Sequence, residues 1–542
     1  MFWILTLIGQ IWLGIELFLP IFQPEFNLFT TIGSVCLLGP CVSTLIFFIF
    51  SYFFGFNLQH VVIHTFLLFI ISFYLNKRRR KQFDYFFSES TIKFAGPLIT
   101  FILSFLFIFP AYLPFSDLYI SSMRISLHEE FSLQASFLYG RNKDRSHFFL
   151  IDHPDFFGKH AVSQWLTSCH MSMLRIGFCG IRTSLFIDLF IFLNSFFLVL
   201  FSFGDDFLLP MYISPFMIFL PFFISGFGYS DFQRDCDKLN ICNSVNSHTD
   251  YVSYFHPNYN HITFLHPIFH LSIGNIPILL SLGLCTLTFH LLYRSICCRT
   301  NVRLLMLTGF IIGGILPCVH YQAFYLMFVF STFNVLFQLW RQKNNYVNQT
   351  LYFFFSLFIS FFVFNSVRYF DDNYLFNSIS FKKIYNFEIE NGEIFAFLKY
   401  WYHACGYYTF IIFSLCWFVF HIIEKQFTFV FCVTFLLFNC IQTHKNDMES
   451  YCLFYLMLFT YGCVVFTTSI HRISMKFMNY YFLNGVCGGV FFVVTIICSV
   501  SVIMSAIIQL SEWDVYWDEK AIEVSTWVIK NTPPKSVFLS NR

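Results

Sequence analysis

Charge is what this chain lacks most. Asp, Glu, Lys and Arg together make up 11% of 542 residues, against about 25% in soluble domains. A soluble chain of this length would fold as several domains, each needing charged surface, and too few charges are present to cover it. Intrinsic disorder is excluded as well, since it requires low hydrophobicity and high net charge. The 32 basic and 30 acidic residues leave a formal net charge of +2. With no basic stripe, a nucleic-acid partner is not expected. A charged leader is also missing: the first residues, MFWILTLIGQIWLG, have no basic n-region and no small-residue cleavage site, so they read as a retained first helix that serves as the targeting signal.

What is abundant is apolar. Hydrophobic residues reach 57%, and 84 residues are Phe. The apolar runs are continuous rather than alternating, which excludes a β-barrel and predicts an all-α, polytopic membrane protein. Runs long enough to cross about 30 Å of hydrocarbon fall at 2–20, 29–50, 54–75, 92–113, 161–176, 183–204, 208–227, 264–291, 304–318, 320–340, 350–367, 399–424, 427–442, 451–470 and 479–508. The expected total is about 12 to 15 helices. The 18 Cys are scattered through these runs and read as small buried thiols.

Basic loops set the orientation. Lys77-Arg78-Arg79-Arg80-Lys81 is the strongest positive cluster. Arg294, Arg299 and Arg303, then Arg341 with Lys343, then Arg472 with Lys476 form three more. Such loops stay cytoplasmic, which places 114–160, 229–262 and the turn at 317–320 on the opposite, exoplasmic or lumenal side. The region 161–227 needs an even number of crossings but holds three apolar runs, so one of them must be re-entrant or interfacial. Residues 1–508 are expected to form the multi-span domain. Residues 509–542 are expected to be a short extramembrane tail, the opening of a lumenal domain. The expected compartment is the endoplasmic reticulum or another endomembrane.

The polar residues collect on that opposite side. One group holds Arg124, His128, Glu129, Glu130, Arg141, Asp152, His153 and Lys159. A second holds His256, His261, His266 and His270, and a third is His320-Tyr321-Gln322. Ionisable groups near membrane depth are costly and usually line a cavity. Glu129-Glu130 precedes a short amphipathic stretch, 131–138, expected to lie at the interface. An acid there, its pKa raised by burial, is suited to take a proton from an acceptor hydroxyl or to bind a divalent metal ion. His266 and His270 have a helical i,i+4 spacing, but Pro267 lies between them and the zinc-hydrolase glutamate is missing. Contact with phosphate by the imidazoles and by Arg124, Arg141 or Lys159 is the alternative.

The run Ser136-Phe137-Leu138-Tyr139-Gly140-Arg141-Asn142, the segment His153-Pro154-Asp155-Phe156-Phe157-Gly158, and the pattern Gly309, Gly313, Pro317, His320 resemble motifs of the GT-C superfamily of integral membrane glycosyltransferases. Trp527-Val528-Ile529-Lys530-Asn531-Thr532-Pro533 is similar to the phrase that opens the extramembrane domain of many such enzymes. The likeness touches 117–160, 260–320 and 511–540. It departs at His128-Glu129-Glu130, where the branch carries an Asp and a His four apart, and at His266-Pro267-Ile268-Phe269, where relatives carry Pro-Gln-Arg.

The resemblance implies a GT-C-like transmembrane helical bundle with a large first exoplasmic loop. It implies transfer of a sugar from a polyprenyl-phosphate donor, of the dolichyl type, to a lipid, glycan or protein acceptor. Glu130, or its neighbour Glu129, is then the base. Arg124, His128, Arg141, Asp152, His153, Lys159, His256, His266, His320 and Gln322 would bind donor phosphate or substrate. Some family members add a divalent metal ion; no other cofactor is expected. Two readings stand beside it: a multi-span transporter, for which Gly309, Gly313 and Gly314 would mark a broken helix, and a non-catalytic membrane scaffold. An acyltransferase using His128 or His256 is a further alternative.

Overall fold

A computed structural model describes residues 2–22, 26–77, 95–112, 127–145, 147–152, 160–161, 163–207, 217–218, 220–221, 276–297, 302–342, 346–367, 408, 416–438, 456–477, 527 and 531. The first helices are α1 (Phe2–Phe22), α2 (Leu28–Phe54), α3 (Leu58–Lys77), α4 (Ala95–Tyr112), α5 (Leu127–Leu138), α6 (Trp165–Ile176) and α7 (Ile181–Asp206). There follow α8 (Ile276–Cys297), α9 (Val302–Val319), α10 (Tyr321–Gln342), α11 (Val347–Phe364), α12 (Ile422–Phe438) and α13 (Tyr461–Phe477). Among the described residues eight helices are long and apolar enough to cross a membrane. The protein is an all-α, multi-pass integral membrane bundle.

Two kinds of surface separate along these helices. α8 is buried along its whole apolar window, at the centre of the bundle. α3 and α11 instead hold Phe66, Ile70, Phe73, Phe355, Phe358 and Phe362 exposed, an apolar face that only lipid can solvate. Small residues bring the inner helices together. A Cβ on Gly39 of α2 would stand 2.6 Å from the Gln10 carbonyl oxygen of α1, so the two backbones touch there.

Contacts order the helix ends. Asn27 donates to Asp205 at 3.3 Å, Arg294 binds Asp206 through two nitrogens, Arg341 donates to Gln426, and Arg472 grips Glu424 at 2.5 and 2.9 Å. Arg472 also reaches the Phe207 carbonyl at 3.4 Å. α3 runs parallel to α1, with Thr65 on Thr6 and Phe69 on Trp12, which carries Lys77 to this same end. The described members of the four basic segments, Lys77, Arg294, Arg303, Arg341 and Arg472, therefore share one end, and the positive-inside rule assigns that end to the cytoplasm. At the far end lie the start of α1, the end of α2, α5 and the start of α7.

The structure identifies the run that does not cross. α6 has 12 residues, about 18 Å of helix, too short for the hydrocarbon core. Its first residue, Trp165, packs on Phe48 near the far end of α2. Gly177, just past its last residue, accepts a hydrogen bond from the backbone of Trp3 at the start of α1. Both ends of α6 thus lie at the far end, and 161–176 is the re-entrant segment.

A second boundary differs from expectation. The sequence predicts one span over 399–424 and the next over 427–442, yet the chain breaks at Phe420-His421 and α12 begins at Ile422. Glu424 is buried, accepts from the His421 backbone at 2.8 Å and pairs with Arg472. It caps a helix instead of ending one.

Candidate functional site

The far end is built on α5. Leu133 and Phe137, four apart on one face, are buried, and Phe137 stacks on Phe56 at 4.7 Å. The helix ends at Leu138, and the chain turns at Gly140, where a Cβ would meet the Ser136 Cα at 2.9 Å. The Asn142 side chain then donates to the Ser136 hydroxyl at 2.9 Å and to the Asp152 carbonyl at 2.8 Å, and accepts from the Asp152 backbone at 2.8 Å. This latch joins the Ser-Phe run to the opening of the His-Pro segment. Asp152 bridges to His160, Ala161 donates to Ile151 at 2.7 Å, and the His160 ring lies 3.5 Å from the Asp152 carboxylate.

Arg145 ties the loop to the bundle. It is 7% exposed. It donates to the Phe48 carbonyl at 2.5 Å and the Ser51 hydroxyl at 3.0 Å, near the end of α2, and to the carbonyls of His147 and Phe148. Its guanidinium lies 3.6 Å from the centre of the Phe48 ring. The arginine supplies donors to carbonyls at a helix end and covers an aromatic face at once.

α6 links this loop to the rest of the far end. It packs on α5, α1, α2, α7 and the last turn of α9. Ser172 donates to the Gln134 backbone at 3.3 Å and Arg175 to the Gln134 side chain at 3.1 Å. The element carrying His128, Glu129 and Glu130 in its first turn and the turn carrying His320 therefore flank one re-entrant helix. The side chains of His128, Glu129 and Glu130 lie outside the described residues, as do Arg124, His153, Lys159, His256 and His266. Arg141 is half-buried at the turn after α5.

His320 and Gln322 correct an expectation. The sequence places them at a turn near the exoplasmic surface, presented just after Pro317. Instead α9 continues to Val319, and one extended residue, His320 (φ −158°, ψ 116°), joins it to α10. With no loop to carry them outward, both side chains are covered, His320 at 3% and Gln322 at 0% exposure. Burial lowers the His320 pKa to about 4, so its ring is neutral at pH 7. His320 Nδ1 and Gln322 Oε1 have no hydrogen-bond partner among the described residues, while Gln322 Nε2 donates to the Tyr321 hydroxyl at 3.1 Å.

Gly309 and Gly313 bring helices together. A Cβ on Gly309 would stand 2.7 Å from the Phe353 carbonyl, and one on Gly313 2.2 Å from that of Leu357 on α11. Around Gly313 α9 widens into a π turn, Ile311–Ile315. Pro317 lacks the N–H that the Gly313 carbonyl would receive. Asn365 supplies it, donating to Gly313 at 2.8 Å and Gly314 at 3.3 Å.

Two polar clusters inside the bundle were not singled out from the sequence. His170 of α6 sits between Asp188 of α7, 2.9 and 3.0 Å from Nδ1, and Gln10 of α1, 3.0 Å from Nε2. At the basic end His290 lies 2.6 Å from Asp206, which Arg294 also binds. The signal was present: each is an ionisable group inside an apolar run.

Among the described residues no group of three His, Cys, Asp or Glu is arranged to hold a metal ion. Cys41, Cys169, Cys179, Cys285, Cys318, Cys432 and Cys463 are buried. No protein-family model, no curated protein and no solved structure matches this chain.

Proposed function

We propose that this membrane bundle is a GT-C-type glycosyltransferase that moves a sugar from a polyprenyl-phosphate donor to an acceptor hydroxyl on the non-cytoplasmic side. The observation that carries the reading is the grouping around α6. The helix bearing Glu129-Glu130, the latched loop 139–152 and the His320 turn adjoin one re-entrant helix, at the end away from the basic segments. The Asn142 latch supports it further, since it gives the Ser-Phe-x-Tyr-Gly-x-Asn run a structural reason to be followed by Asp152-His153-Pro154.

In this reading Glu130 or Glu129 takes the acceptor O–H proton. The freed oxygen attacks the anomeric carbon, and the bond from that carbon to the phosphate oxygen breaks. Polyprenyl phosphate leaves with inversion at the sugar. Arg124, Arg141 and Lys159 steady the charge developing on the phosphate, with His128, His153, His256 and His266 completing the substrate contacts beside Asp152. A divalent metal, where one is used, would share the acid. The donor and acceptor are membrane lipids or lipid-anchored, and the compartment is endomembrane.

Transfer of labelled sugar by the purified protein from a panel of polyprenyl-phosphate donors tests this. Turnover should fall at least about a hundredfold in Glu130→Gln or in Glu129→Gln. Undiminished activity in both removes the base, and no transfer from any donor removes the reaction. One observation favours a second reading, membrane transport: the His170–Asp188 pair lies within the bundle and not in a loop, as coupling sites of transporters do.

A further inference from the structure

We propose that the inward face of α10 is a hydrated inlet that runs from the basic end of the bundle to mid-membrane. It holds small uncharged hydrogen-bonding molecules, water the smallest of them, at Asn334 and Ser331. The inlet needs only the bundle and its orientation, not the sugar-transfer reading.

Helix geometry sets the face. Ser331, Asn334 and Gln338 stand at i, i+3 and i+7 of α10 and so share one side. On one flank of it, Phe330 packs against Phe289 of α8 at 4.7 Å and Phe427 of α12 at 5.2 Å. On the other flank, Phe324 stacks on Phe361 of α11 at 5.4 Å. The polar side therefore looks into the bundle, while Phe333, Leu336 and Trp340 on the opposite side are exposed. Along the axis Asn334 lies about 10 Å inside Arg341, and Ser331 about 15 Å. The second distance is about half the hydrocarbon core.

Hydroxyls of the neighbouring helices show what such a group does at this depth. Ser281 and Thr286 of α8 and Thr308 of α9 each donate to a backbone carbonyl one turn back, at 2.7, 2.7 and 2.8 Å. Ser331 has the same option on its own helix and does not take it. Its hydroxyl has no hydrogen-bond partner among the described residues. Both polar atoms of the Asn334 amide lack one as well, so either orientation of that amide leaves both without one. The two side chains are covered by protein, at 0% exposure for Ser331 and 1% for Asn334. A hydroxyl and an amide buried together without partners are strongly unfavourable. A bound molecule that both donates and accepts removes that cost.

The chemistry limits the occupant. Between His320 and Arg341 the inward face carries no ionisable side chain, so an ion would enter without a counter-charge. An amide and a hydroxyl match a neutral molecule instead. Gln338, 1% exposed, is the polar step between Asn334 and the basic end. Toward the far end the same face continues as Ala323 and Met327, each fully covered, which close the path before His320. The inlet is one-sided, open to the cytoplasm and shut toward the far end.

Full-length protein in lipid nanodiscs tests this, with methyl methanethiosulfonate as the probe. The reagent attacks the thiolate, which forms only where water reaches the sulfur. Ser331→Cys and Asn334→Cys carry the reporter thiols. The native Cys285 and Cys463, both at 0% exposure, are dry references in the same sample. Rates are read by mass spectrometry on the peptide that holds each thiol. Both reporters should react at least about tenfold faster than the references, the gain from a thiol pKa one unit lower. Rates equal to the references, all slow or all fast, overturn the proposal, so a variant that misfolds and opens every thiol does not pass. The route is tested with Gln338→Cys added to Ser331→Cys. A membrane-impermeant maleimide, given first to sealed vesicles with the basic end outward, should occupy Gln338→Cys and then slow Ser331→Cys at least about tenfold. No maleimide uptake at Gln338→Cys, or uptake that leaves Ser331→Cys as fast as before, overturns access from the basic end.

Discussion

Gly313→Ala should cost this protein more than its single added methyl group suggests. The new Cβ would lie 2.2 Å from the Leu357 carbonyl oxygen and 2.6 Å from the Ser360 hydroxyl. Neither neighbour can yield cheaply, since one is helix backbone and the other is fixed by its own hydrogen bond to Ser356 at 2.7 Å. Relief therefore requires α9 and α11 to part by about 1 Å, an overpacking cost of about 1–3 kcal/mol. Parting also stretches the 2.8 Å bond from Asn365 to the Gly313 carbonyl, which Pro317 has left without a backbone donor. An unsatisfied buried carbonyl adds about 1–3 kcal/mol. The sum is about 2–6 kcal/mol. Gly314→Ala, one residue on, is the control. Its nearest neighbours would be ring and side-chain carbons at 3.4 Å, ordinary contact, and alanine is the better helix former by about 0.5–1 kcal/mol. It should be neutral or stabilising. Reversible unfolding of the detergent-purified protein in increasing SDS measures the difference. Asn365→Leu combined with Gly313→Ala should be less costly than the two singly added, because both act on one hydrogen bond. Equal effects of Gly313→Ala and Gly314→Ala would refute the reasoning, and strict additivity would refute the shared bond.

Two further outcomes are expected. With sealed vesicles, a membrane-impermeant thiol reagent should reach Lys143→Cys and Arg303→Cys, both exposed in the wild type, from opposite faces; labelling of both from one face would undo the orientation. His320 has a folded pKa lowered by burial to about 4 against about 6.5 when unfolded. Its stability contribution is complete above about pH 6.5 and is lost as pH falls toward 4, by about 3 kcal/mol in all, so His320→Gln should flatten the acid limb of an unfolding-versus-pH curve by that amount.

The helical runs were legible because apolar length alone defines them, and the boundaries of α1 and α10 lie within a few residues of those expected. Gly309 and Gly313 were legible too, since small residues at helical spacing predict close contact whatever the partner. Parity of crossings showed that one run between 161 and 227 fails to span, but only the contacts of Trp165 and Gly177 single out α6. Other features rest on partners distant in sequence. Glu424 reads as the last residue of one apolar run, not the first turn of the next helix, until Arg472 is beside it. His320 reads as presented at a surface turn until α9 and α10 are joined by one residue. The link between α5 and the His320 turn has no local signature, because it runs through α6 and belongs to neither motif.

The two buried acids of α7 also differ in how long each must wait for its counterion during synthesis. His170 precedes Asp188 by 18 residues, and Gln10 precedes His170 by 160. Among the described residues, the side chains that hold Asp188 and its histidine have been made before the acid itself emerges from the ribosome. Asp206 pairs with Arg294, 88 residues later, a delay of about 4–18 s at ordinary elongation rates. The acid deeper in the bundle is the one provided for in advance. The acid that must wait sits at the last turn of α7, on the basic side, where headgroup water can solvate it until α8 arrives. Replacement of Arg294 should therefore be felt at assembly, as a span that emerges without its partner and is open to degradation, before any effect on the finished protein is measured.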